Sequence, residues 1–341
     1  MNPRYQQLCQ WLSQQTGDTN PQLTSVAGDA SFRRYYRLET EQGSRIVMDA
    51  PPPEEDCAPF VSIAQEWFQQ GVAVPEIFAQ DLEQGFLLLE DFGDQQLLPL
   101  LEQGAQQADP LYQDAIDALL QIQTTRGQHL PHYDDTLLMR EMELFREWFC
   151  QKWLALELTE ADHQLIDNTF TYLSKHAQAQ PQVTVHRDYH SRNLMLTPEG
   201  KHNIGIIDFQ DAVYGPITYD LLSLLRDAYI TWPKAQLQHW QNHFWRQLEQ
   251  KRQTPTGYKQ EQFIEDFDMI GAQRHLKVVG IFARLWLRDG KSGYLADIPR
   301  TFDHLLEDCK PYPQLAEFTH WLQSRIQPAL EEKQSQQEVP A

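Results

Sequence analysis

The chain has 341 residues, of which 28 are Lys or Arg and 48 are Asp or Glu, so its formal net charge is −20 at pH 7. A nucleic acid or an anionic membrane surface needs a basic face, so this balance argues against both as partners. The four cysteines fit no zinc or disulfide spacing, and neither a signal-peptide pattern nor an apolar run of about 18 residues occurs, so we expect a cytoplasmic protein.

Up to about residue 94 the pattern mostly predicts strands. After "LTSVAG", the stretches "SFRRYYRLE" and "SRIVMDA" flank the turn "EQG", which is typical of a β-hairpin. "CAPFVSIAQEWFQQG" has helical spacing and a stop signal at Gly71. A second hairpin is predicted around Gly85, and its apolar run "FLLLE" is typical of a strand buried on both faces.

After residue 96 the apolar residues repeat with the period of a helix, interrupted only by the short strands "VTV", "NLMLT" and "IGIID". We therefore predict an α+β protein with two lobes. A small antiparallel-sheet lobe spans residues 1–94, a hinge lies at about 90–96, and a larger, mainly helical lobe spans 97–330. Residues 331–341 are predicted to form a disordered tail. A ligand is expected in the cleft between the lobes.

The segment "HRDYHSRNLM", which begins at His186, has the form H-x-D-x-x-x-x-N and is followed one hairpin later by Asp208 in "IIDF". In phosphoryl-transfer enzymes an Asp of such a loop accepts the proton of the attacking hydroxyl. An Asn and a second Asp hold the Mg²⁺ that neutralises the nucleotide phosphates. The pattern therefore predicts a kinase-like fold that uses ATP and Mg²⁺, with Asp188 as the base and Asn193 and Asp208 as the metal ligands.

The segment "EDFGD", residues 90–94, also contains the Asp-Phe-Gly with which protein kinases bind magnesium. In protein kinases that Asp follows the catalytic loop, whereas this one precedes it by almost a hundred residues. We therefore interpret "EDFGD" as the hinge, whose backbone would bind the adenine edge. Leu89, Glu90 and Phe92 are candidate neighbours of the adenine.

Two features argue against a protein kinase. Only "FQDAVYGP" separates Asp208 from the next helix near Ile217, which leaves no room for the activation loop that docks a peptide. The glycine-rich loop is reduced to "GDASFRR", where Gly28 and Ser31 are candidate phosphate contacts. A small alcohol or a sugar hydroxyl is therefore favoured as the acceptor.

No lysine occurs before Lys152, although a kinase-like fold usually places one on its third strand to reach the phosphates. An arginine would have to replace it. The candidates are Arg33, Arg34 and Arg45, and strand alternation would direct only one of the first two towards the cleft.

The sequence resembles the aminoglycoside phosphotransferase and choline kinase superfamily, and within it the bacterial anomeric kinases of N-acetylmuramate and N-acetylglucosamine. The matching stretches include "GDASFRRYYR", "MDAPPP", "LLEDFGD", "HRDYHSRNLM" and "IIDFQDAVYGPITYDLLSLLRD". This resemblance implies a two-lobed protein-kinase-like fold, ATP and Mg²⁺, the base Asp188, and the metal ligands Asn193 and Asp208.

Substrate contacts are the least determined part of the site. The candidates near the predicted cleft are His190, Arg192, Asp211, Tyr214, Asp220 and Arg140. The helical segment "QRHLKVVGIFARLWLRDGK" adds Arg274, Lys277 and Arg284 to an apolar stripe, which favours packing on the core. A muramate carboxylate would nevertheless suit one of the arginines on these helices.

We therefore predict an ATP-dependent phosphotransferase that phosphorylates a sugar hydroxyl, the anomeric one of N-acetylmuramate or N-acetylglucosamine in cell-wall recycling. One alternative is an aminoglycoside antibiotic kinase, which the acidic balance also fits. A second is a nucleotide-binding pseudokinase scaffold, which the missing lysine suggests. The sequence identifies neither a protein partner nor the oligomeric state.

Overall fold

The computed structural model describes residues 3–26, 32–41, 43–198 and 203–337. The strands are β1 (Leu23–Val26), β2 (Arg34–Thr40), β3 (Gly43–Asp49), β4 (Ile77–Asp81), β5 (Phe86–Glu90), β6 (Gln182–Val185), β7 (Leu194–Leu196), β8 (Ile204–Ile206) and β9 (Val213–Pro216). The α-helices are α1 (Pro3–Thr16), α2 (Ala58–Gln69), α3 (Leu97–Leu101), α4 (Ala105–Gln123), α5 (Asp135–Leu144), α6 (Glu160–Ala179), α7 (Tyr219–Leu225), α8 (Lys234–Gln250), α9 (Gln260–Asp289), α10 (Ile298–Cys309), α11 (Ala316–Trp321) and α12 (Gln327–Gln337). Strands and helices are therefore both present, and the α+β prediction is confirmed.

The chain divides into two compact units. The first contains residues 1–125 together with 192–212, and the second contains 126–191 together with 213–341. The sequence placed everything from residue 97 to 330 in one helical lobe. In the structure α3, α4 and the β7–β8 hairpin instead group with the N-terminal sheet.

The first unit is built on a five-stranded antiparallel sheet in the order β1-β2-β3-β5-β4. Both predicted hairpins are confirmed, and residues 86–89 of β5 are buried as expected for "FLLLE". The turn before β5 needs a glycine, because a Cβ on Gly85 (φ +71°) would lie 1.9 Å from the carbonyl oxygen of Ala50. The predicted helix before Gly71 is α2.

Helix α1 was missing from the predicted strand pattern. Its apolar residues Leu8, Trp11 and Leu12 are buried and form one core cluster with sheet residues that include Val47 and Phe86. This packing closes one face of the sheet, and burial of large apolar side chains of this kind is the main stabilising contribution in a core.

The second unit is mainly helical and packs around α9, a helix of 30 residues whose central part is buried. Helices α5, α6 and α10 contact α9. Side chains cap two of these helices: Asp134 accepts a hydrogen bond from the N–H of Leu137 at the start of α5, and Thr159 forms a capping box with Asp162 at the start of α6.

Three local features of the second unit differ from the sequence prediction. Strand β9 pairs with β6, although the sequence predicted no strand in "FQDAVYGP", the connection between Asp208 and the next helix. The helix that begins with α5 continues as a π-helical stretch over Phe145–Trp153. Helix α12 runs through the predicted disordered tail as far as Gln337, because Glu, Gln, Lys and Ala are good helix formers. Residues 338–341 of that tail lie outside the described residues.

Among the described residues, no helix combines the length and the apolar character that a bilayer span requires.

Candidate active site

The H-x-D loop of the second unit, residues 186–191, follows β6 and is held at its start by Asp220. The two carboxylate oxygens of Asp220 accept hydrogen bonds from the backbone N–H groups of His186 (2.6 Å) and Arg187 (3.0 Å). Burial raises the pKa of Asp220 to about 7, although the two N–H donors oppose the rise. Asp220 is the second residue of α7, so this helix fixes the entry to the loop.

The end of the loop is held by a second carboxylate, that of Asp227. Its Oδ2 accepts hydrogen bonds from the backbone N–H of Ser191 (3.0 Å) and from the Ser191 hydroxyl, and its Oδ1 accepts from the N–H of Tyr229. Within the loop, Arg187 adopts a left-handed backbone conformation with φ +77°. Such a conformation is costly for a non-glycine residue and persists where the surroundings hold it firmly.

Asp188 is kept ionised by its surroundings. Burial by itself would raise the pKa of Asp188. The pKa is nevertheless lowered to about 2 by the basic side chains around it, which are Lys277, His190, Arg274 and Arg187. A carboxylate that is ionised across the physiological pH range can accept a proton or a hydrogen bond from an acceptor hydroxyl.

A buried polar network centred on Glu141 of α5 holds two of these basic side chains. Glu141 pairs with the guanidinium of Arg187 and lies 3.3 Å from the Lys277 ammonium, and it also accepts a hydrogen bond from the Tyr133 hydroxyl. The hydroxyls of Tyr133 and Tyr219 are 3.1 Å apart, and Lys277 donates to Tyr219 at 3.2 Å. One buried carboxylate therefore forms ion pairs with two cations.

The two candidate metal ligands lie in the first unit, at the base of the β7–β8 hairpin. The amide nitrogen of Asn193 is 3.4 Å from Oδ2 of Asp208, and the Ile207 N–H donates to the Asn193 carbonyl. Gln210 donates to Oδ1 of Asp208 at 2.7 Å. The two predicted side chains therefore meet at one point, as a shared metal ion requires.

This pair fits Mg²⁺ by its chemistry. Asn193 and Asp208 offer amide and carboxylate oxygens, which are the hard donors that Mg²⁺ prefers. No group of three or more His, Cys, Asp or Glu side chains suited to a metal occurs in the described part of the chain. Mg²⁺ is commonly held by one or two carboxylates with the remaining positions filled by substrate phosphates and water, so a small protein donor set is adequate.

Phe209 anchors the metal-site residues to α2. Its ring stacks on Phe60 at 4.8 Å between centroids and contacts Trp67 at 5.7 Å. Asp208 itself has φ +66°, so its backbone is held in the left-handed region. A residue fixed in that way between a hairpin and a buried aromatic ring has little freedom to move its carboxylate.

The candidate nucleotide contacts differ in their exposure and in the groups that surround them. Gly28 and Ser31 lie outside the described residues. Arg33 pairs with Glu55 at 3.0 Å, its side chain is 13% exposed, and the charges around it that favour its ionised form include Asp208. The side chain of Arg34 is 52% exposed and lies 3.7 Å from Asp49. Arg45 stacks on the Phe78 ring at 4.2 Å. Of the three arginines, Arg33 is therefore the one whose ionised form is favoured by Asp208, a candidate metal ligand.

The hinge candidates are packed within the first unit. Leu89 is buried in β5, and the Glu90 N–H donates to the Glu76 carbonyl. Phe92 is 8% exposed, and its ring lies against Gly205. A Cβ added to Gly205 would be 2.5 Å from the Phe92 ring.

The acidic residues of "EDFGD" are already engaged. Arg37 of β2 donates to Asp91 at 2.6 Å and to Asp94 at 2.8 Å. Asp91 also accepts from the Gly93 N–H. The Asp-Phe-Gly at this position is thus a turn fastened to the sheet by one arginine.

The candidate substrate residues occupy different environments. His190 lies in the loop with its ring 5.4 Å from that of Tyr229. Asp220 is fully buried beneath the loop, so it supports the loop backbone rather than presenting a surface to a substrate. Arg140 and Asp211 are exposed, Tyr214 is half-buried in β9, and the carbonyl of Arg192 accepts from the side chain of Gln96.

Sequence reasoning missed several residues that build this site: Glu55, Glu141, Arg187, Gln210 and Asp227. Lys277 and Arg274 were noticed but interpreted as part of an ordinary amphipathic helix. The available signal was their position between the apolar stretches "MIGA" and "VVGIFA" of α9, where the structure leaves Lys277 and Arg274 only 5% and 4% exposed. Buried charges are rare unless they are paired or functional.

The sequence profile of the phosphotransferase enzyme family matches residues 22–262 of this chain. The chain belongs to that family. An N-acetylmuramate/N-acetylglucosamine kinase of Pseudomonas putida is 46% identical to this phosphotransferase over 325 residues, which cover 92% of this chain and 94% of the relative. A protein of the same name from Pseudomonas aeruginosa is 43% identical and covers 96% of this chain and 98% of its own length.

Among solved structures, the Plasmodium vivax ethanolamine kinase matches this phosphotransferase with a TM-score of 0.60, covering 85% of this chain and 83% of that one. The two sequences are only 13% identical, so the match concerns the fold. It confirms the predicted kinase-like fold.

Proposed function

We propose that this phosphotransferase transfers the γ-phosphoryl group of ATP to the anomeric hydroxyl of N-acetylmuramate and N-acetylglucosamine. The observation that carries the proposal is the ionised Asp188 in a loop held at both ends, in a chain 46% identical to a relative that is named as a kinase of these two sugars. The reaction would take place in the cytoplasm, where ATP is available.

The acceptor sugar would bind with its hydroxyl against Asp188. Because the pKa of Asp188 is about 2, the carboxylate is available as a hydrogen-bond acceptor from the start and takes up the hydroxyl proton as the phosphoryl group is transferred. Asp220 and Asp227 would keep the loop in place during this step. Their role is positional, since both act on the loop backbone and on Ser191.

The nucleotide would be bound by residues of the first unit. Asn193 and Asp208 would hold Mg²⁺, which neutralises charge on the phosphates. Arg33, oriented by Glu55, would take the place of the missing strand lysine and contact the phosphates. The Arg33–Glu55 pair has the chemistry of the lysine–glutamate pair that orients the phosphates in kinases, with a guanidinium in place of the ammonium. Gly28, Ser31 and the hinge residues Leu89, Glu90 and Phe92 remain candidate contacts.

The test is ATP consumption with N-acetylmuramate, N-acetylglucosamine, choline and an aminoglycoside, followed by NMR of the product. We expect turnover with the two amino sugars and a phosphorus coupling to the anomeric proton. Turnover with the aminoglycoside alone, or coupling to a different sugar proton, would contradict the proposal. Nucleotide binding without transfer to any acceptor would favour a scaffold.

The site assignment has its own matched variants, because Asp91, like Asp208, directly precedes a phenylalanine. Asp208→Ala is expected to abolish Mg²⁺-dependent turnover while leaving the protein folded. Asp91→Asn is expected to keep most of the turnover, because the Asp91 carboxylate is engaged by Arg37 and the Gly93 N–H and is not a proposed metal ligand. Asp188→Asn should lower kcat without preventing nucleotide binding. Substantial turnover in a folded Asp208→Ala protein would disprove the metal assignment.

A further inference from the structure

Arg274 of α9 is a buried cation that lacks the partners such a group normally has. Its side chain is 4% exposed, and its Nε and Nη1 atoms have no hydrogen-bond partner among residues 3–26, 32–41, 43–198 and 203–337. Burying a charge without partners is costly, and arginine has five N–H donors to satisfy. By contrast Lys277, one turn further along α9, is paired with Glu141 and Tyr219.

The unpaired guanidinium belongs to the neighbourhood of the proposed base. Its charge favours the ionised forms of both Asp188 and Asp220. Arg274 and Lys277 are three residues apart, so they share one face of the helix. The second unit therefore offers, among the groups whose charge acts on Asp188, a guanidinium with two nitrogens that the described residues do not satisfy.

We propose that Arg274 binds the carboxylate of N-acetylmuramate and thereby sets the preference of this site for that sugar over N-acetylglucosamine. This inference rests on the proposed function. The two sugars differ in the lactyl ether on O3 of N-acetylmuramate, which carries a carboxylate two ring carbons from the anomeric centre. A guanidinium binds a carboxylate through two parallel N–H···O bonds, a geometry that lysine does not reproduce.

The two guanidinium nitrogens of Arg274 that lack a partner among the described residues explain why such a contact would discriminate. N-acetylmuramate would supply the acceptor that the described residues do not, whereas N-acetylglucosamine would leave the guanidinium with water or nothing. A site built to form a hydrogen bond selects strongly against an analogue that lacks the bonding group. Arg140, the muramate candidate favoured by the sequence, is exposed on α5 and forms no ion pair with a described residue.

The experiment measures kcat/KM for both sugars in the wild-type protein and in Arg274→Met, which has a similar length and no charge. We expect the ratio of N-acetylmuramate to N-acetylglucosamine to fall about 10- to 100-fold, mainly through KM for N-acetylmuramate. Turnover of N-acetylglucosamine should fall by a smaller factor, because Arg274 also helps to keep Asp188 ionised. Arg274→Lys should give an intermediate ratio, since it keeps the charge without the bidentate geometry.

Arg284→Met is the matched control on the same helix. Arg284 is half-buried, also has an Nε without a hydrogen-bond partner in the described part of the chain, and lies about 15 Å further along the helix axis at 1.5 Å per residue. We expect the sugar ratio of Arg284→Met to equal that of the wild type. Equal loss of both sugars in Arg274→Met would overturn the inference, because Arg274 would then act only through Asp188.

A second comparison changes the substrate and needs no variant that might misfold. N-acetylmuramate with its carboxylate converted to the amide should be a poorer substrate than the acid for the wild type, and the two should be used equally by Arg274→Met. A wild-type protein that uses acid and amide equally well would refute the role of Arg274. If the wild type phosphorylates neither sugar, the proposed function itself is wrong, a result that differs from an unchanged ratio in an active enzyme.

Discussion

Replacing Glu141 with Gln should destabilise the protein strongly, because this buried carboxylate forms ion pairs with both Arg187 and Lys277. Glu141 is 6% exposed, pairs with Arg187 and lies 3.3 Å from the ammonium of Lys277. Glutamine keeps one acceptor oxygen, which can serve Tyr133 or Arg187. Its amide nitrogen would face donors, and Arg187 and Lys277 would lose their direct ion-pair partner, leaving the charge of Asp188 to balance them.

The expected loss follows from breaking a buried ion pair on one side. Removing one partner of such a pair typically costs about 3–5 kcal/mol, because the other charge stays buried without compensation. The part of this loss that comes from Lys277 cannot exceed about 5 kcal/mol, because that is the free energy needed to neutralise a lysine with an ordinary pKa of 10.5 at pH 7. We therefore expect about 3–5 kcal/mol, or a fall in Tm of roughly 4–7 °C for a chain of this length.

The assay is thermal unfolding of the wild type, Glu141→Gln and Glu143→Gln. Glu143 lies two residues away on α5, is 46% exposed and pairs with Arg146, so its loss should cost less than about 1 kcal/mol. The double variant Glu141→Gln/Lys277→Met should recover part of the loss, since it removes a charge together with its partner. A Tm for Glu141→Gln within 1–2 °C of that for Glu143→Gln would show that the network does not stabilise the fold as described.

Three further predictions concern the site. Arg33→Met should lower kcat/KM for ATP about 100-fold, the usual effect of losing one preorganised donor, while Arg34→Met should change it little. A larger loss in Arg34→Met than in Arg33→Met, measured by steady-state kinetics, would exclude Arg33 as the phosphate contact. Phe209→Leu should raise the Mg²⁺ concentration needed for half-maximal activity about 2- to 10-fold, because the stack on Phe60 is lost, and an unchanged Mg²⁺ titration would contradict this role. Asp220 should produce an acid limb in kcat/KM near pH 7, because its protonated carboxyl cannot accept both loop N–H groups. Its raised pKa implies the opposite sign for stability, which should fall as pH rises from about 4 towards 7, so a stability curve that rises over this window would disprove the assignment.

The sequence predicted those parts of the candidate site whose spatial arrangement follows from the spacing of residues along the chain. A candidate base at Asp188, an Asn five residues later and an Asp one hairpin later constrain one another, so candidate roles could be assigned to them from their order in the chain. The same logic separated Asp208 from Asp91. The hairpins and the helix ends were predictable for a similar reason, because turns and caps depend on neighbouring residues.

Contacts between distant segments could not be predicted in this way. Nothing near Glu141 in the sequence indicates that its partners are Arg187 and Lys277, which are 46 and 136 residues away. Helix α1 was overlooked because it is stabilised by packing on the sheet, whose strands are formed by later parts of the chain. The choice of Arg33 over Arg34 depended on Glu55, which sits in a segment without regular structure.

Because two carboxylates outside the H-x-D loop hold it in place, the loop cannot be transferred to another protein by itself. Both ends of the loop are fastened to α7 and the residues just after it, through Asp220 and Asp227. A chimaera that carries only "HRDYHSRN" into a new scaffold would bring the base and leave its support behind. The smallest portable module is therefore the loop together with "YDLLSLLRD", two segments that are separate in the chain and inseparable in use.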